Sequence, residues 1–508
     1  MTVVTPGQMK QLEKLTDESG VSYLEMMENA GTALALLILE RLKEKSNKNV
    51  LFLCGSGNNG GDCFVAARLL EERDIRCTVA LLCGEPKTDI SKENFQRLKN
   101  VTVLTEYSEI IDNISEDKYS IIADGIFGTG FHGELSENII ELFEECSRTW
   151  AHTIAVDVPS GGNSLTGAVS EGTLEANETV TFGRMKFGMT QYPLREYCGE
   201  VRIGEIGIPE NADIRLKPYM NVIYEGSARC CIPQKAPDIN KGDNGRLLVV
   251  CGSDTMPGAC VMAVGGALRS GAGLVQVAST PFVTQMIASR YPEAMIQPLS
   301  APEGYLTVDN LDEIVRLSQK AAAVLIGCGM GTADGTKALI KKLIQNISCP
   351  KIIDADGINC IADSIDIIKD KADEIVLTPH PGEAGRLLGK TAKEVQADRL
   401  AAVTELADKT GAVCLLKGAG TLIAHKDIVW VNQTGNSGMA KGGSGDVLAG
   451  IIASLTAQGI DLIHSAPIGV YLHGLAGDIA AEKYTKQCMT AMDIIECLPE
   501  AFRQAGIE

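Results

Sequence analysis

Across 508 residues there is no apolar run long enough to cross a bilayer. The longest, Ala33–Leu39, ends at Glu40, whereas a spanning helix needs about 20 such residues. The opening Met1-Thr2-Val3-Val4-Thr5-Pro6 lacks a basic stretch ahead of an apolar one, so neither membrane nor secretory segment is expected. Positive charge is also short. Lys and Arg number 46 against 65 Asp and Glu, a net charge of −19. That argues against nucleic acid as a partner, because non-specific binding depends on phosphate neutralisation. It leaves small anions open, since backbone N–H groups at a helix start hold phosphate without net positive charge. There is no CxxC pair and no Cys/His cluster among the 16 cysteines. Cys54, Cys83, Cys251 and Cys414 sit in apolar strand-like runs, where a thiol acts as a small hydrophobe. A reducing, cytoplasmic setting without structural zinc is expected. Short internal repeats and low-complexity tracts are missing too.

What is present is an ordinary globular mixture, 45% hydrophobic and 22% charged. At roughly 100–200 residues per domain the length suggests about two to four domains. Aromatics are 5%, yet glycines number 53. Short aliphatic strands separated by glycine-rich loops suggest a nucleotide-handling α/β protein. In the first half the strand candidates are Val50–Cys54, Cys77–Leu82, Ser120–Asp124 and Thr153–Asp157, with helical patterns between them at Asp62–Glu72 and Ser136–Arg148. This alternation predicts a parallel sheet covered on both faces. Ser22 and Glu25 have capping-box spacing ahead of another helix.

The pattern breaks over 209–245, where Pro209, Pro218, Pro233 and Pro237 precede Lys241-Gly242-Asp243-Asn244-Gly245. Proline interrupts helix and ladder alike. The expected division is a domain over 1–215, a linker over 216–230 and a second domain over 231–508. Its strands are expected at Arg246–Cys251, Ala322–Ile326, Lys351–Asp354, Glu374–Leu377 and Ala412–Leu416. In parallel α/β sheets the ligand sits at the carboxyl ends of strands, so the loops there are the candidates.

Gly55-Ser56-Gly57-Asn58-Asn59-Gly60-Gly61-Asp62 follows the first strand. Its GxGxxG match is weak alone, and a plain strand-to-helix turn is the alternative. Asn58, Asn59 and Asp62 add amides and a carboxylate that a turn does not need. Asp124 leads into Phe127-Gly128-Thr129-Gly130-Phe131-His132-Gly133-Glu134, and Asp157 into Val158-Pro159-Ser160. Asn59, Asp124 and Ser160 are oxygen donors of the kind that suits a hard cation. A partly buried Asp157 is the acid/base candidate. Lys186 is either a phosphate contact or a solvated lysine near a turn.

The strongest single signal is Lys441-Gly442-Gly443-Ser444-Gly445-Asp446, directly before an apolar helix at Val447–Leu455. Glycines here let successive N–H groups converge on an anion, and the helix dipole adds to this. Asp446 then sits where a carboxylate can accept a hydroxyl proton during phosphoryl transfer. Lys417-Gly418-Ala419-Gly420-Thr421 offers amides, a hydroxyl and a lysine, with a hairpin turn as the alternative. His380, held between Pro379 and Pro381, and the close-approach loop Gly327-Cys328-Gly329 complete the set with Ser253–Ala259.

Met27-Glu28-Asn29-Ala30-Gly31, the Asn58–Asp62 run, Phe127–Gly133 and Val156–Gly161 resemble the NAD(P)H-hydrate epimerase domain over roughly residues 1–215. The Thr378–Glu383 loop, Lys417–Thr421 and Gly438–Gly450 resemble the ADP- or ATP-dependent NAD(P)H-hydrate dehydratase of the ribokinase-like superfamily over roughly 230–500. The resemblance implies an α/β fold of two αβα domains, the first Rossmann-like and the second ribokinase-like. It implies a bifunctional lyase and isomerase that repairs hydrated NADH and NADPH (NADHX and NADPHX), with the epimerase feeding the dehydratase.

Potassium on Asn59, Asp124 and Ser160 is implied. So is the hydrate on Asn58, Asn59, Gly60, Gly61, Asp62, Gly128, Thr129, Gly130, Phe131, His132, Gly133, Glu134 and Asp157. In the second domain Ala259, Gly329, His380 and Asp446 would contact the hydrate. Lys417, Gly418, Ala419, Gly420, Thr421 and Gly445 would contact ADP or ATP. Gly442, Gly443, Ser444 and Gly445 would form the anion hole, with Mg2+ assisting. A homo-oligomer is expected, and the sequence leaves the oligomeric state open. Cys63 stands where the family usually has Gly, which narrows the pocket wall, and Cys328 where it often has Pro. The competing expectation is a vitamin or sugar kinase with an accessory nucleotide-binding domain.

Overall fold

A computed structural model describes residues 1–232, 237–238, 240–242 and 244–507. The chain divides into a compact unit of Thr2–Tyr219 and a second that begins at Met220. Each is described by itself.

The first unit opens with α1 (Pro6–Glu18) and α2 (Tyr23–Leu42). Ser22 caps α2 by accepting the Glu25 N–H at 3.3 Å. Only this half of the expected capping box forms. Then come β1 (Asn49–Cys54), α3 (Asn58–Glu71), β2 (Arg76–Leu81), β3 (Thr102–Leu104), β4 (Ile121–Gly125), β5 (His152–Val156), β6 (Glu178–Phe182) and β7 (Glu200–Gly204). They form one sheet in the order β3-β2-β1-β4-β5-β6-β7, every pair parallel. In β1, Val50, Phe52 and Cys54 join one apolar cluster and Leu51 and Leu53 the other. Strand periodicity thus feeds two cores, one on each face. Burying such a side chain stabilises by about 1.5–3 kcal/mol.

The second unit runs β8 (Arg246–Val250), α4 (Pro257–Arg269), β9 (Leu274–Ser279), β10 (Met295–Pro298), β11 (Ala323–Ile326), β12 (Lys351–Ile353) and β13 (Ile375–Leu377). It continues with α5 (Pro381–Leu388), α6 (Arg399–Thr410), β14 (Val413–Leu416), β15 (Leu422–His425), β16 (Ile428–Val431), α7 (Ser444–Ala457) and α8 (Leu462–Cys488). The sheet order β10-β9-β8-β11-β12-β13-β14-β15-β16 is parallel as far as β14 and antiparallel beyond it.

Both sheets therefore start in the middle, grow one way and then reverse. The reversal lies between β1 and β4 in the first unit and between β8 and β11 in the second, and such switch points open crevices at the strand ends. In the second unit α7 packs on α4 at backbone contact. A Cβ on Gly450 would come within 2.0 Å of the Ala263 carbonyl oxygen.

The residues expected to form a linker over 216–230 carry regular structure instead, a strand at Tyr219–Val222 and a helix at Glu225–Cys231. The reason is apolar. Ile223 and Ala228 are buried in the core of the second unit, and the Ile223 N–H donates to Val431 O at 3.0 Å. Pro233 and Asp243, which marked the break in pattern, lie outside the described residues. Among the described residues no helix is long and apolar enough to cross a membrane.

Candidate active sites

The first switch point opens on a cavity of about 620 Å³. Asn58, Asn59 and Asp62 from the first turn of α3 line it, with Gly128, Thr129, Gly130 and Phe131 from the loop after β4 and Asp157 from the end of β5. Gly60 and Gly61 lie behind this wall and let α3 pack closely on Gly55 and Met27. His132, Gly133 and Glu134 continue the loop outward and are exposed. Cys63 does not narrow the wall, because its side chain is fully buried in the core. The remaining lining includes Met9, Lys10 and Glu13 of α1 and Lys87, none of which carried a sequence signal.

Asp124 is buried at the end of β4 and accepts the Ser160 N–H at 2.8 Å and the Ser160 hydroxyl at 2.6 Å. Asn59 Nδ2 donates to Phe127 O at 3.0 Å, and the Phe127 N–H donates to Ser160 Oγ at 2.9 Å. The three oxygen-bearing residues thus meet around Phe127. Burial pushes Asp124 up to about 6, and hydrogen bonds from Ser160 and Ile126 oppose this. No cation among the described residues balances its charge.

Asp157 has a left-handed backbone, φ +68°, which costs a non-glycine residue about 1–3 kcal/mol. Its Oδ1 takes three donors. These are the Lys186 ammonium, the Thr181 hydroxyl at 3.2 Å and the Phe182 N–H at 3.2 Å. Lys186 is 1% exposed and also donates to Thr181 Oγ1 at 2.9 Å and Phe182 O at 2.8 Å. It is therefore not a solvated lysine near a turn but the buried counter-ion of Asp157.

In the second unit α7 starts at Ser444 after Gly443, whose φ of +95° favours glycine. The first amides of a helix have no intrahelical partner and face outward along the dipole; of the four expected to hold an anion, that of Ser444 already donates to the Lys441 carbonyl at 3.4 Å. Lys417 stands beside them, since a Cβ on Gly445 would lie 3.3 Å from its ammonium. Lys417 Nζ donates to Asp354 Oδ1 at 2.7 Å and lies 4.0 Å from Glu383 Oε2. The Thr378 hydroxyl donates to the same Asp354 oxygen at 2.6 Å. Asp446 is pushed up to about 7, by burial first and then by the charge of Asp354, against the Cys328 hydrogen bond and Lys417. One ligand atom each of Cys328, Asp354 and Asp446 lies within 4.8 Å of the others.

Gly329, at φ +65°, packs against Ala259, where an added Cβ would lie 2.7 Å from that of Ala259. His380 caps α5, its Nδ1 accepting the Gly382 and Glu383 N–H groups at 3.0 and 3.4 Å. The ring proton is thereby placed on Nε2. Burial, then Lys417 and Arg386, hold His380 below its ordinary value. His473, pushed down to about 4 by burial, lies 3.3 Å from Ser444 Oγ. The Lys417–Thr421 loop is held from behind by Arg399. Its guanidinium donates to the carbonyls of Leu416 at 3.1 Å, Gly420 at 3.3 Å and Lys417 at 3.5 Å. Sequence reasoning missed Asp354, Glu383 as a partner of Lys417, and Arg399.

Fold and sites together define a two-unit α/β enzyme whose second unit presents a carboxylate and a lysine at a glycine-preceded helix start. A family profile described as NAD(P)H-hydrate dehydratase matches residues 247–500, and one described as YjeF-related protein N-terminus matches 23–188. The bifunctional NAD(P)H-hydrate repair enzyme Nnr of Moorella thermoacetica is 36% identical over 518 residues, covering 99% of this chain and 97% of that protein. The Escherichia coli K12 enzyme of the same name is 34% identical, covering 95% and 90%. A solved ribokinase-like superfamily protein from Enterococcus faecalis V583 superposes with a TM-score of 0.50 and 27% identity, over 56% of this chain and 96% of that one. The chain belongs to the family of bifunctional NAD(P)H-hydrate repair enzymes.

Proposed function

We propose that the first unit interconverts the R and S hydrates of NADH and NADPH, and that the second dehydrates the S form at the expense of ADP or ATP. The observation that carries the second part is Asp446, raised to about 7 at the start of α7 beside the Lys417 ammonium. A carboxylate of that proton affinity can take the hydroxyl proton of the hydrate near neutral pH. The oxygen then attacks the terminal phosphoryl group while the amides of Gly442–Gly445 and Lys417 hold the phosphoryl oxygens. With ADP the leaving group is AMP. Phosphate is then expelled by the ring-nitrogen lone pair, and loss of a proton from the adjacent carbon restores the dihydronicotinamide. Ala259, Gly329 and His380 would flank the hydrate, and Gly418, Ala419, Gly420 and Thr421 the nucleotide.

Magnesium enters this reading as the counter-ion of the nucleotide phosphates. Cys328, Asp354 and Asp446 do not make a protein cage for it, because a thiol suits a hard cation poorly and Lys417 already occupies Asp354 Oδ1. Potassium fits the first unit better. Asn59, Asp124 and Ser160 would hold it, on oxygen donors that include a buried carboxylate without a cation. When bound it would supply fixed positive charge beside the strand ends. There Asn58, Asp62 and the Gly128–Phe131 loop would orient the hydrate for Asp157.

The test is recovery of reduced nicotinamide absorbance from hydrate of mixed stereochemistry, with magnesium and ADP or ATP. Full recovery beyond the S fraction supports both activities. No recovery with either nucleotide refutes the dehydratase, and a stable phosphorylated product would mark a kinase instead.

A further inference from the structure

The first cavity contains a carboxyl that neither family profile covers. Glu13 lies on α1 and lines the same cavity as Asp62, Asp157 and Lys186. It has no hydrogen-bond or ion-pair partner among the described residues. Asp62 faces the cavity in the same condition, only 8% exposed and without a hydrogen bond to its side chain. Glu13 is half-buried and Asp62 buried, so both carboxyls face the cavity from one wall without a protein partner among the described residues and are open to a ligand there. Asp157 differs from both. Its Oδ1 is committed to Lys186, Thr181 and Phe182, and Oδ2 makes no hydrogen bond among the described residues.

Exchange of a hydroxyl between two faces of a ring needs a proton given at departure and a proton taken at return. We propose that Glu13 is a second proton-transfer residue of this cavity, delivering the proton to the departing hydroxyl while Asp157 takes the proton of the returning water. This rests on the epimerase reading above. The balance is closed. The carbon–oxygen bond breaks with the Glu13 proton on the leaving oxygen, and the ring-nitrogen lone pair forms a C=N+ bond. Water then adds to that carbon from either face and loses one proton to Asp157. A proton passing back from Asp157 to Glu13 resets the pair.

The charge distribution agrees. Glu13 faces Lys10 on its own helix, Tyr23 at the start of α2, Asp62 on α3, Asp157 after β5, and Lys186. Burial raises its proton affinity first, Asp157 adds to this, and Lys186 and Lys10 oppose it. The acid form is favoured next to an ion-paired Asp157.

The test uses the full-length enzyme and separated R and S NADH hydrates without ADP or ATP, so that the second unit is idle. Interconversion is followed chromatographically above the spontaneous rate. Glu13→Gln should lower kcat about 100-fold with KM changed less than about threefold. It should also remove the fall in rate on the alkaline side, where Glu13 loses its proton. Glu13→Asp should restore part of the rate and the alkaline limb. Dehydration of the S hydrate with ADP by the same Glu13→Gln protein should match wild type, and the rescue by Glu13→Asp shows that the first unit remains folded when Glu13 is replaced. A Glu13→Gln rate within about threefold of wild type overturns the proposal, as does a loss confined to KM or an unmoved alkaline limb. Wild-type protein that interconverts nothing overturns the epimerase reading itself.

Discussion

Asp354→Asn should shift the acidic limb of the dehydration pH profile to lower pH. In the proposed mechanism Asp446 takes the proton only when ionised, and its proton affinity is raised to about 7 by burial and then by the charge of Asp354. At pH 6 only about a tenth of the molecules would carry it ionised, so kcat/KM should fall about tenfold per pH unit below 7. The substitution removes a negative charge within 4.8 Å of Asp446 and releases Lys417 from its 2.7 Å ion pair. Both changes favour the Asp446 carboxylate. A unit charge at about 5 Å is worth about 3 kcal/mol at an effective dielectric of about 20. Water reaching the cleft screens this, leaving a shift of about one pH unit, or about 1.4 kcal/mol. The assay is kcat/KM for the S hydrate with ADP from about pH 5 to 9, following the reduced nicotinamide, with Asp446→Asn as the base-less reference. A wild-type profile flat below pH 7, or a limb that Asp354→Asn leaves in place, would refute the reasoning.

Potassium should raise the melting temperature more above about pH 7 than below about pH 5. The folded state holds Asp124 at about 6 against an ordinary 3.8. Its contribution is therefore complete below the unfolded value and lost as pH rises through 6, by about 3 kcal/mol. Above that, a cation has a buried carboxylate to neutralise, and calorimetry of Asp124→Asn should show no potassium effect. Lys186→Met leaves Asp157 without its counter-ion and should lower unfolding free energy by about 3 kcal/mol in denaturant titration. Gly443→Ala forces a left-handed alanine whose Cβ meets Met262 Sδ at 2.0 Å. It should abolish dehydration and leave epimer interconversion unchanged, both read in one preparation.

The parts legible in the sequence were those written contiguously. Val50–Cys54 followed by Gly55 reads as strand and turn, and Gly442–Asp446 ahead of an apolar run reads as a helix start. Contacts assembled across the fold were not legible. Lys417 and Asp354 stand 63 positions apart and meet only because β12 and β14 end on the same side of one parallel sheet. Lys186, among glycines and a methionine, has the local look of a surface turn, and only the placement of Asp157 makes it a buried cation. Glu13 lies on the polar side of an amphipathic helix, where a solvent-facing carboxylate and a cavity-facing one carry the same pattern. The expected linker failed for the converse reason. Its prolines were visible, whereas the burial of Ile223 and Ala228 depends on partners hundreds of positions downstream.

The three carbonyls gathered by Arg399 have a consequence for how the Lys417–Thr421 loop, proposed to hold the nucleotide, tolerates mutation. In the proposed reading, recognition there is written in the direction of peptide planes, and Arg399, whose guanidinium holds three of the carbonyls, sets that direction. Saturation mutagenesis should therefore produce an inverted map. Ala419, which offers only its backbone, should accept many replacements, while Arg399→Leu should weaken nucleotide binding by releasing the loop carbonyls. Selection for altered nucleotide use would then act first on the support behind the loop and only later on the surface that touches the ligand.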